Sequence, residues 1–145
     1  MSKHATKSEV VLYGHSKEEE FTRLARERGL NARRIGGSSP QTDVEIDLGN
    51  RTISVEVKAS RYGISWRDAS GRNRRAYQFY LMGNGRSNPV NDDVVALGCD
   101  DGMQTTWFII PGNKVRNQKR INIAHPDQTK WNEYRERWET IEALN

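Results

Sequence analysis

The stretch from 42 to 60, TDVEIDLGNRTISVEVKAS, constrains the fold of this chain more than any other. Apolar and polar residues alternate on both sides of Gly49 and Asn50, a pair that favours a tight turn between two antiparallel strands. With Leu48 opposite Arg51, the facing apolar pairs are Val44 with Val55 and Ile46 with Ile53. The stretch therefore predicts a hairpin within a sheet, with these apolar side chains toward the core.

On the other face of this hairpin, the same register brings two carboxylates together. Asp43 falls opposite Glu56 at a Cβ separation of about 5 Å, where like charges repel each other. Lys58 lies two residues further along the same face. A shared proton, the ammonium group of Lys58 or a divalent cation would each offset the repulsion. Because Mg²⁺ is commonly held by one or two carboxylates, this face is a candidate metal centre. The alternative is an ion-pair cluster on an exposed strand face.

The middle of the chain is rich in arginine. Residues 61–90 carry six arginines and one acidic residue, whereas the flanking parts are nearly balanced in charge. Arginines in Gly/Asn/Ser-rich loops with interleaved aromatic residues favour a nucleic-acid backbone as partner, with a solvated loop as the alternative. The candidate phosphate contacts are Arg61, Arg67, Arg72, Arg74 and Arg75, followed by a second cluster of Lys114, Arg116, Lys119 and Arg120.

Helices are predicted near both ends of the chain. The segment 15–30, HSKEEEFTRLARERGL, has a capping box of Ser16 and Glu19 and a glycine stop at Gly29. The segment 127–144 carries apolar residues at helical spacing, which is typical of a core or dimer-interface helix. These residues are Trp131, Tyr134, Trp138 and Ile141.

Short apolar segments between the helices predict further strands. NARRIGG at 31–37 and TTWFIIP at 105–111 fit single strands. DVVALGC at 93–99 is a continuous apolar run, which suits a strand buried on both faces. AYQFYLM at 76–82 is compatible with a strand or a short helix. The resulting fold class is α/β (α+β), a mixed β-sheet flanked by helices.

Length and composition limit the class of protein. The 145 residues predict a single domain over 1–145, with 1–13 as a candidate flexible N-terminal segment. No apolar run is long enough to span a membrane, and the charged N-terminus does not resemble a secretory signal. The single cysteine, Cys99, excludes a disulfide framework and is expected to be a small buried side chain. We expect a cytoplasmic protein. Association with a nucleoid and a viral origin are further options.

The spacing of Asp43 and Glu56-Val57-Lys58 resembles the PD-(D/E)xK nuclease motif, with Thr42 in place of the usual proline. The part upstream is most similar to archaeal-type Holliday junction resolvases. Their first helix has a glutamate soon after a glycine and ends in a Gly-apolar pair, and an arginine-bearing strand and a serine-containing loop follow. The matching residues are Gly14, Glu18, Gly29-Leu30, Arg33-Arg34 and Gly37-Ser38.

The resemblance implies a restriction-endonuclease-like core and a Mg²⁺ cofactor, with Mn²⁺ as an alternative. It implies that Asp43, Glu56 and the backbone carbonyl of Val57 bind the metal, that Lys58 is the catalytic lysine, and that Glu18 is an outer-shell acid. Ser38, or else Ser39, would lie near the scissile phosphate. Arg33 and Arg34 would contact DNA, and Gln78 is a further polar candidate for the site.

The resemblance covers residues 14–60 and fades after Ser60, where glycine and asparagine are unfavourable for the helix that usually follows the motif strand. RYGISWRD and RRAYQFYL would instead form an arginine-bearing hairpin. The leading hypothesis is a homodimeric endonuclease that resolves four-way DNA junctions by paired nicks. The alternatives are a homing- or restriction-type endonuclease, a non-catalytic DNA-binding module, and an unrelated basic structural protein.

Overall fold

A computed structural model of the chain describes residues 7–35, 42–61, 64–67, 69–81 and 91–145. A five-stranded sheet is at its centre, in the order β1-β2-β3-β6-β7. These strands are β1 (Asn31–Arg34), β2 (Val44–Asp47), β3 (Thr52–Arg61), β6 (Val94–Asp100) and β7 (Thr105–Pro111). Only β3 and β6 pair in parallel within this sheet. The predicted mixed sheet is therefore confirmed.

The hairpin of β2 and β3 has the predicted register. Val44 pairs with Val55, and Ile46 pairs with Ile53. Gly49 adopts a φ of 95° in the turn, a conformation that glycine reaches without a Cβ clash. All four paired side chains are buried, so the hairpin contributes its apolar face to the core as expected.

The first helix, α1 (Lys7–Glu27), is longer than the sequence predicts. The prediction of a start at Ser16 is wrong, because this residue lies in the interior of the helix. The earlier turns are anchored to β6, since the Tyr13 hydroxyl donates a hydrogen bond of 3.0 Å to Asp100. The predicted stop is confirmed: α1 ends at Glu27, and Gly29 has a φ of 85°.

A second sheet has the order β4-β5-β8 and comprises β4 (Ile64–Arg67), β5 (Asn73–Tyr80) and β8 (Arg120–Ile123). Antiparallel pairing of β4 with β5 confirms the arginine-bearing hairpin, and 76–80 is a strand rather than a helix. Strand β8 was not predicted. Between β7 and β8 lies a short helix, α2 (Gly112–Val115).

The C-terminal segment is not the continuous helix that its apolar spacing predicts. It forms a 3₁₀ turn (Asn132–Tyr134) and one helical turn, α3 (Glu139–Glu142). The interruption has a specific cause. The backbone N–H of Glu136 donates a hydrogen bond of 2.6 Å to the carbonyl of Trp107. In return, the backbone N–H of Trp107 donates one of 2.6 Å to the carboxylate of Glu136. Glu136 has a φ of 51° there. Pairing with the edge of β7 thus replaces the helical hydrogen bonds.

Two apolar clusters lie on opposite faces of the five-stranded sheet. One contains Phe21 of α1 together with Trp107 and Trp138, and the Phe21 ring stacks on that of Trp138 at 5.1 Å. The other fills the space between the two sheets. Strand β6 contributes to both, as predicted for a strand buried on both faces, and Cys99 is buried in the second cluster. The apolar residues of the predicted C-terminal helix are divided between the two clusters. Trp138 and Ile141 belong to the first, and Trp131 and Tyr134 to the second.

Candidate active site

Asp43 lies immediately before β2, where the regular ladder of the hairpin ends. Its side-chain Oδ2 accepts a hydrogen bond of 2.9 Å from the backbone N–H of Val57. Its own N–H donates to the carbonyl of Val55 at 3.3 Å. The carboxylate thus takes the place of a main-chain acceptor beside β3. This arrangement fixes Asp43 against the strand that carries the rest of the motif.

Glu56 and Lys58 project from one face of β3, because successive side chains of a strand alternate between faces. The Lys58 ammonium Nζ lies 3.3 Å from Oε1 of Glu56, and the Lys58 and Glu56 side chains are 30% and 17% exposed. Between them, Val57 is buried in the core. The motif strand therefore presents an acid and a base to a partly enclosed space and keeps its apolar residue inside.

Burial dominates the electrostatics of Glu56. Burial raises the pKa of Glu56 to about 8, the negative charge of Asp43 adds to the effect, Lys58 opposes it, and Asp92 adds again. The expected proximity of Asp43 and Glu56 is thus present in the structure. A cation bound beside this carboxyl would favour its ionised form.

The residues at this position have the chemistry to hold a hard divalent cation. Asp43 and Glu56 supply carboxylate oxygens, and the carbonyl of Val57 points to the same side of β3 as the N–H that binds Asp43. Mg²⁺ and Mn²⁺ prefer such oxygen ligands. Among the residues that the structure describes, no three His, Cys, Asp or Glu side chains form a group that could hold a metal ion. Two carboxylates and a carbonyl would have to suffice, with the remaining ligands from water or substrate.

Glu18 approaches the site from α1. Burial raises the pKa of Glu18, the bond from Arg34 opposes the change, and the charge of Asp43 adds to it. Its Oε1 accepts a hydrogen bond of 2.9 Å from Nε of Arg34. The neighbouring acids differ: Glu19 is exposed, and Glu20 pairs with Lys17 at 3.0 Å. Of the three acids, Glu18 is therefore the one whose described interactions include Asp43.

Sequence reasoning missed Asp92, which lies just before β6 and is only 5% exposed. Its Oδ1 accepts a hydrogen bond of 3.2 Å from the hydroxyl of Thr42, the residue in the place of the motif proline. Burial raises the pKa of Asp92, its interactions with Ser54 and Thr42 oppose the change, and the negative charge of Asp43 adds to it. The available sequence signal was the pair of acids Asp92 and Asp93, directly before the apolar run of β6. Its meaning depends on the parallel pairing of β6 with β3.

The basic candidates lie in different environments. Arg34 is engaged with Glu18, Arg33 pairs with Glu45 at 3.1 Å, and the Arg61 guanidinium lies 4.3 Å from the centre of the Tyr13 ring. The remaining ones whose side chains are described are exposed to solvent: Arg67, Arg72, Arg75, Lys114, Arg116, Lys119 and Arg120. Arg74 lies on β5, and its side chain is outside the described part of the structure.

Three further predictions have different outcomes. Ser38 and Ser39 lie outside the described residues. Gln78 lies on the face of β5 opposite to the buried Tyr77, where it accepts a hydrogen bond of 3.2 Å from the hydroxyl of Tyr80. None of the described contacts of Asp43, Glu56 or Lys58 involves Gln78.

A comparison with solved structures tests the fold that the motif implies. The bacterial homing endonuclease I-Ssp6803I is similar with a TM-score of 0.65 and 17% identity, over 92% of this chain and 93% of its own. The chain has an endonuclease-like fold. The likeness supports, for the fold alone, the endonuclease-like core that the motif resemblance implies. In the described residues, no helix has the length and apolar character needed to cross a membrane.

A second similar structure is Hjc, a Holliday junction resolvase from Archaeoglobus fulgidus. Its TM-score is 0.45 at 16% identity, over 77% of this chain and 88% of its own. No protein-family model matches the chain, and no curated protein matches its sequence.

Proposed function

We propose that the chain is a metal-dependent DNA endonuclease that hydrolyses phosphodiester bonds. The observation that carries the proposal is the convergence of Asp43, the partly buried Glu56 and Lys58 at one end of the hairpin, within an endonuclease-like fold. Perturbed acids of this kind are concentrated at functional sites. The alternative of an ion-pair cluster on an exposed strand is less favoured, because Glu56 is largely buried and its pKa is raised to about 8.

Each residue has a proposed task in hydrolysis. Asp43, Glu56 and the Val57 carbonyl hold the cation, which we propose to be Mg²⁺ with Mn²⁺ as a substitute, and Glu18 acts in its outer shell. When bound, such a cation supplies Lewis-acid stabilisation of charge on the reacting phosphate. As a neutral amine, Lys58 would orient or deprotonate the attacking water, whereas as an ammonium ion it would neutralise the phosphate charge. The water oxygen bonds to phosphorus as the bond to the leaving oxygen breaks.

Two DNA substrates remain candidates. Cleavage of a defined duplex sequence is supported by the homing endonuclease, whose fold extends over 92% of this chain, including the part after Ser60 where the motif resemblance ends. Resolution of four-way junctions is supported by the sequence pattern of 14–60. Because junction resolution requires two symmetric nicks, that candidate implies a two-fold homodimer. Either activity would act on DNA in the cytoplasm or nucleoid.

A cleavage assay in Mg²⁺ separates these candidates. Its substrates are an immobile four-way junction, a flap and a pool of linear duplexes of varied sequence, with Glu56→Gln as the inactive control. Paired nicks on the junction alone would establish a resolvase, whereas cleavage of one duplex sequence would establish a homing- or restriction-type enzyme. If no substrate is cut but DNA is still bound, the chain is a binding module and the proposal is wrong.

A further inference from the structure

The second sheet has a polar face that the hydrolytic site does not use. Strands β5 and β8 bury Phe79 and Ile121 against the five-stranded sheet. Their neighbours along the strands point the other way, because side chains alternate between the faces of a sheet. In the register of this pair, Gln78 lies opposite Asn122, and Tyr80 lies opposite Arg120. These four side chains are called the outer face below.

The outer face is compact and accessible. Directly opposed residues of an antiparallel pair have Cβ atoms about 5 Å apart, so four side chains cover an area no longer than two or three base pairs of DNA. Tyr80 is 54% exposed, and Arg120 and Asn122 are exposed. The hydroxyl of Tyr80 donates to Oε1 of Gln78 at 3.2 Å, which orients the amide. Gln78 is partly exposed, whereas Ala76 before it on the same face is buried.

The charge around the outer face fits an anionic partner. No acidic residue occurs between Asp68 and Asp92 or between Asp101 and Asp127, and these two intervals include β5 and β8. The same intervals contain arginines and lysines, and Arg75, Lys119 and Arg120 are exposed. A polyanion is therefore favoured over a neutral protein surface as the occupant.

We infer that the outer face reads base edges in the major groove of duplex DNA. The major groove accommodates a two-stranded β-ribbon, in which Gln or Asn can bind adenine through two hydrogen bonds and Arg can bind guanine in the same way. Strand β4 begins six residues after Lys58, so the edge of this sheet lies within about 20 Å of the catalytic lysine. The inference rests on the proposed function only in that DNA is the partner.

The test compares base preference in a variant that lacks both amides. Wild-type chain and Gln78→Ala/Asn122→Ala are used to select bound molecules from a randomised duplex pool in EDTA, which prevents metal-dependent cleavage. A matched control, Gln104→Ala/Asn145→Ala, removes the same two residue types from exposed positions elsewhere. We expect wild type and control to enrich one sequence, and the outer-face variant to lose about 5- to 100-fold of discrimination at two or three adjacent base pairs.

Three results would overturn the inference. The first is an enriched sequence that the outer-face variant selects as strongly as wild type. The second is the absence of any base preference in wild type. The third is a change of oligomeric state in the variant with base preference retained, which would make the outer face a contact between copies of the chain. Cleavage in Mg²⁺ of a plasmid that carries the enriched sequence, measured in parallel, keeps the proposed function separate. A base preference without cleavage of this plasmid would support the inference and contradict the nuclease.

Discussion

The carboxylate of Asp43 accepts a 2.9 Å hydrogen bond from the backbone N–H of Val57, the middle residue of the Glu56-Val57-Lys58 segment. One acid of the candidate site is thereby fixed to the main chain of the strand that supplies the other acid and the lysine. The spacing between the acids is determined by the hairpin rather than by flexible side chains. Preorganised geometry of this kind is what a phosphodiester-cleaving site requires.

The raised pKa of Glu56 predicts that metal-free protein loses stability as the pH rises. An unfolded glutamate has a pKa near 4.3, whereas burial raises that of folded Glu56 to about 8. Its contribution is therefore fully present below pH 4.3 and is lost progressively up to about pH 8. We expect the free energy of unfolding of wild type, relative to Glu56→Gln, to fall by roughly 2–5 kcal/mol between pH 5 and pH 9.

Urea unfolding in EDTA at pH 5, 7 and 9 measures this difference. The exposed Glu133→Gln variant is the matched control, since it removes the same charge from the surface. If the free energies of unfolding of Glu56→Gln and Glu133→Gln differed from that of wild type by the same amount at all three pH values, Glu56 would titrate as an ordinary surface acid.

Lys58→Ala is expected to retain DNA binding and lose cleavage by about 10²–10⁴-fold, the usual contribution of a positioned acid–base group. Binding is measured by fluorescence anisotropy and cleavage by single-turnover kinetics on the same duplex. Lys130→Ala is the control, because this lysine lies against Trp131 at 5.3 Å, away from the motif strand. A parallel loss of binding and cleavage in Lys58→Ala would instead make this lysine a phosphate contact.

Asp92 and Thr42 are expected to act as a unit that positions Asp43. Each of Asp92→Ala and Thr42→Ala should reduce the cleavage rate about tenfold, with the double variant no slower than either, since they share one 3.2 Å hydrogen bond. Asp92→Asn keeps an oxygen acceptor for the Thr42 hydroxyl and should restore most of the rate. If the two losses of cleavage rate added in the double variant, and Asp92→Asn did not restore the rate, Asp92 and Thr42 would act independently.

Arginines after β3 are expected to supply much of the affinity for the DNA backbone. Neutralising Arg72, Arg74 and Arg75 together should weaken binding and reduce the slope of log K against log salt by up to about 0.9 for each phosphate that the variant no longer neutralises. The comparison is a triple alanine variant of Lys114, Arg116 and Lys119, which removes equal charge. An unchanged slope in the first variant, with a reduced slope in the second, would move the DNA-binding surface to the region after β7.

Local patterns were enough to predict the hairpin and its register. The turn at Gly49 and the alternation around it involve residues that are close in sequence, and so does the placement of Glu56 beside Asp43. The C-terminal helix was predicted by the same kind of reasoning and was wrong, because the 2.6 Å hydrogen bonds between Glu136 and Trp107 compete with helical ones. Helix propensity is a weak constraint where tertiary pairing offers the backbone an alternative.

Asp92 shows why part of the site could not be read from the sequence. It reaches Glu56 only because β6 pairs in parallel with β3, so that Val95 lies beside Glu56. Parallel pairing joins residues that are distant along the chain, and no local periodicity reports it. The same applies to β8, whose pairing with β5 creates the outer face.

The central claim is that Asp43 belongs to a metal-dependent catalytic site. Nicking of a supercoiled plasmid that carries the duplex sequence or the extruded four-way junction cut by wild type tests it most directly. The rate is measured in Mg²⁺ and in EDTA for wild type, Asp43→Asn and Asp47→Asn. Asp47 is an exposed aspartate at the far end of β2, the strand that follows Asp43. We predict Mg²⁺-dependent nicking that Asp43→Asn reduces at least about 100-fold and Asp47→Asn leaves unchanged. Nicking by Asp43→Asn at the wild-type rate would contradict the proposed site.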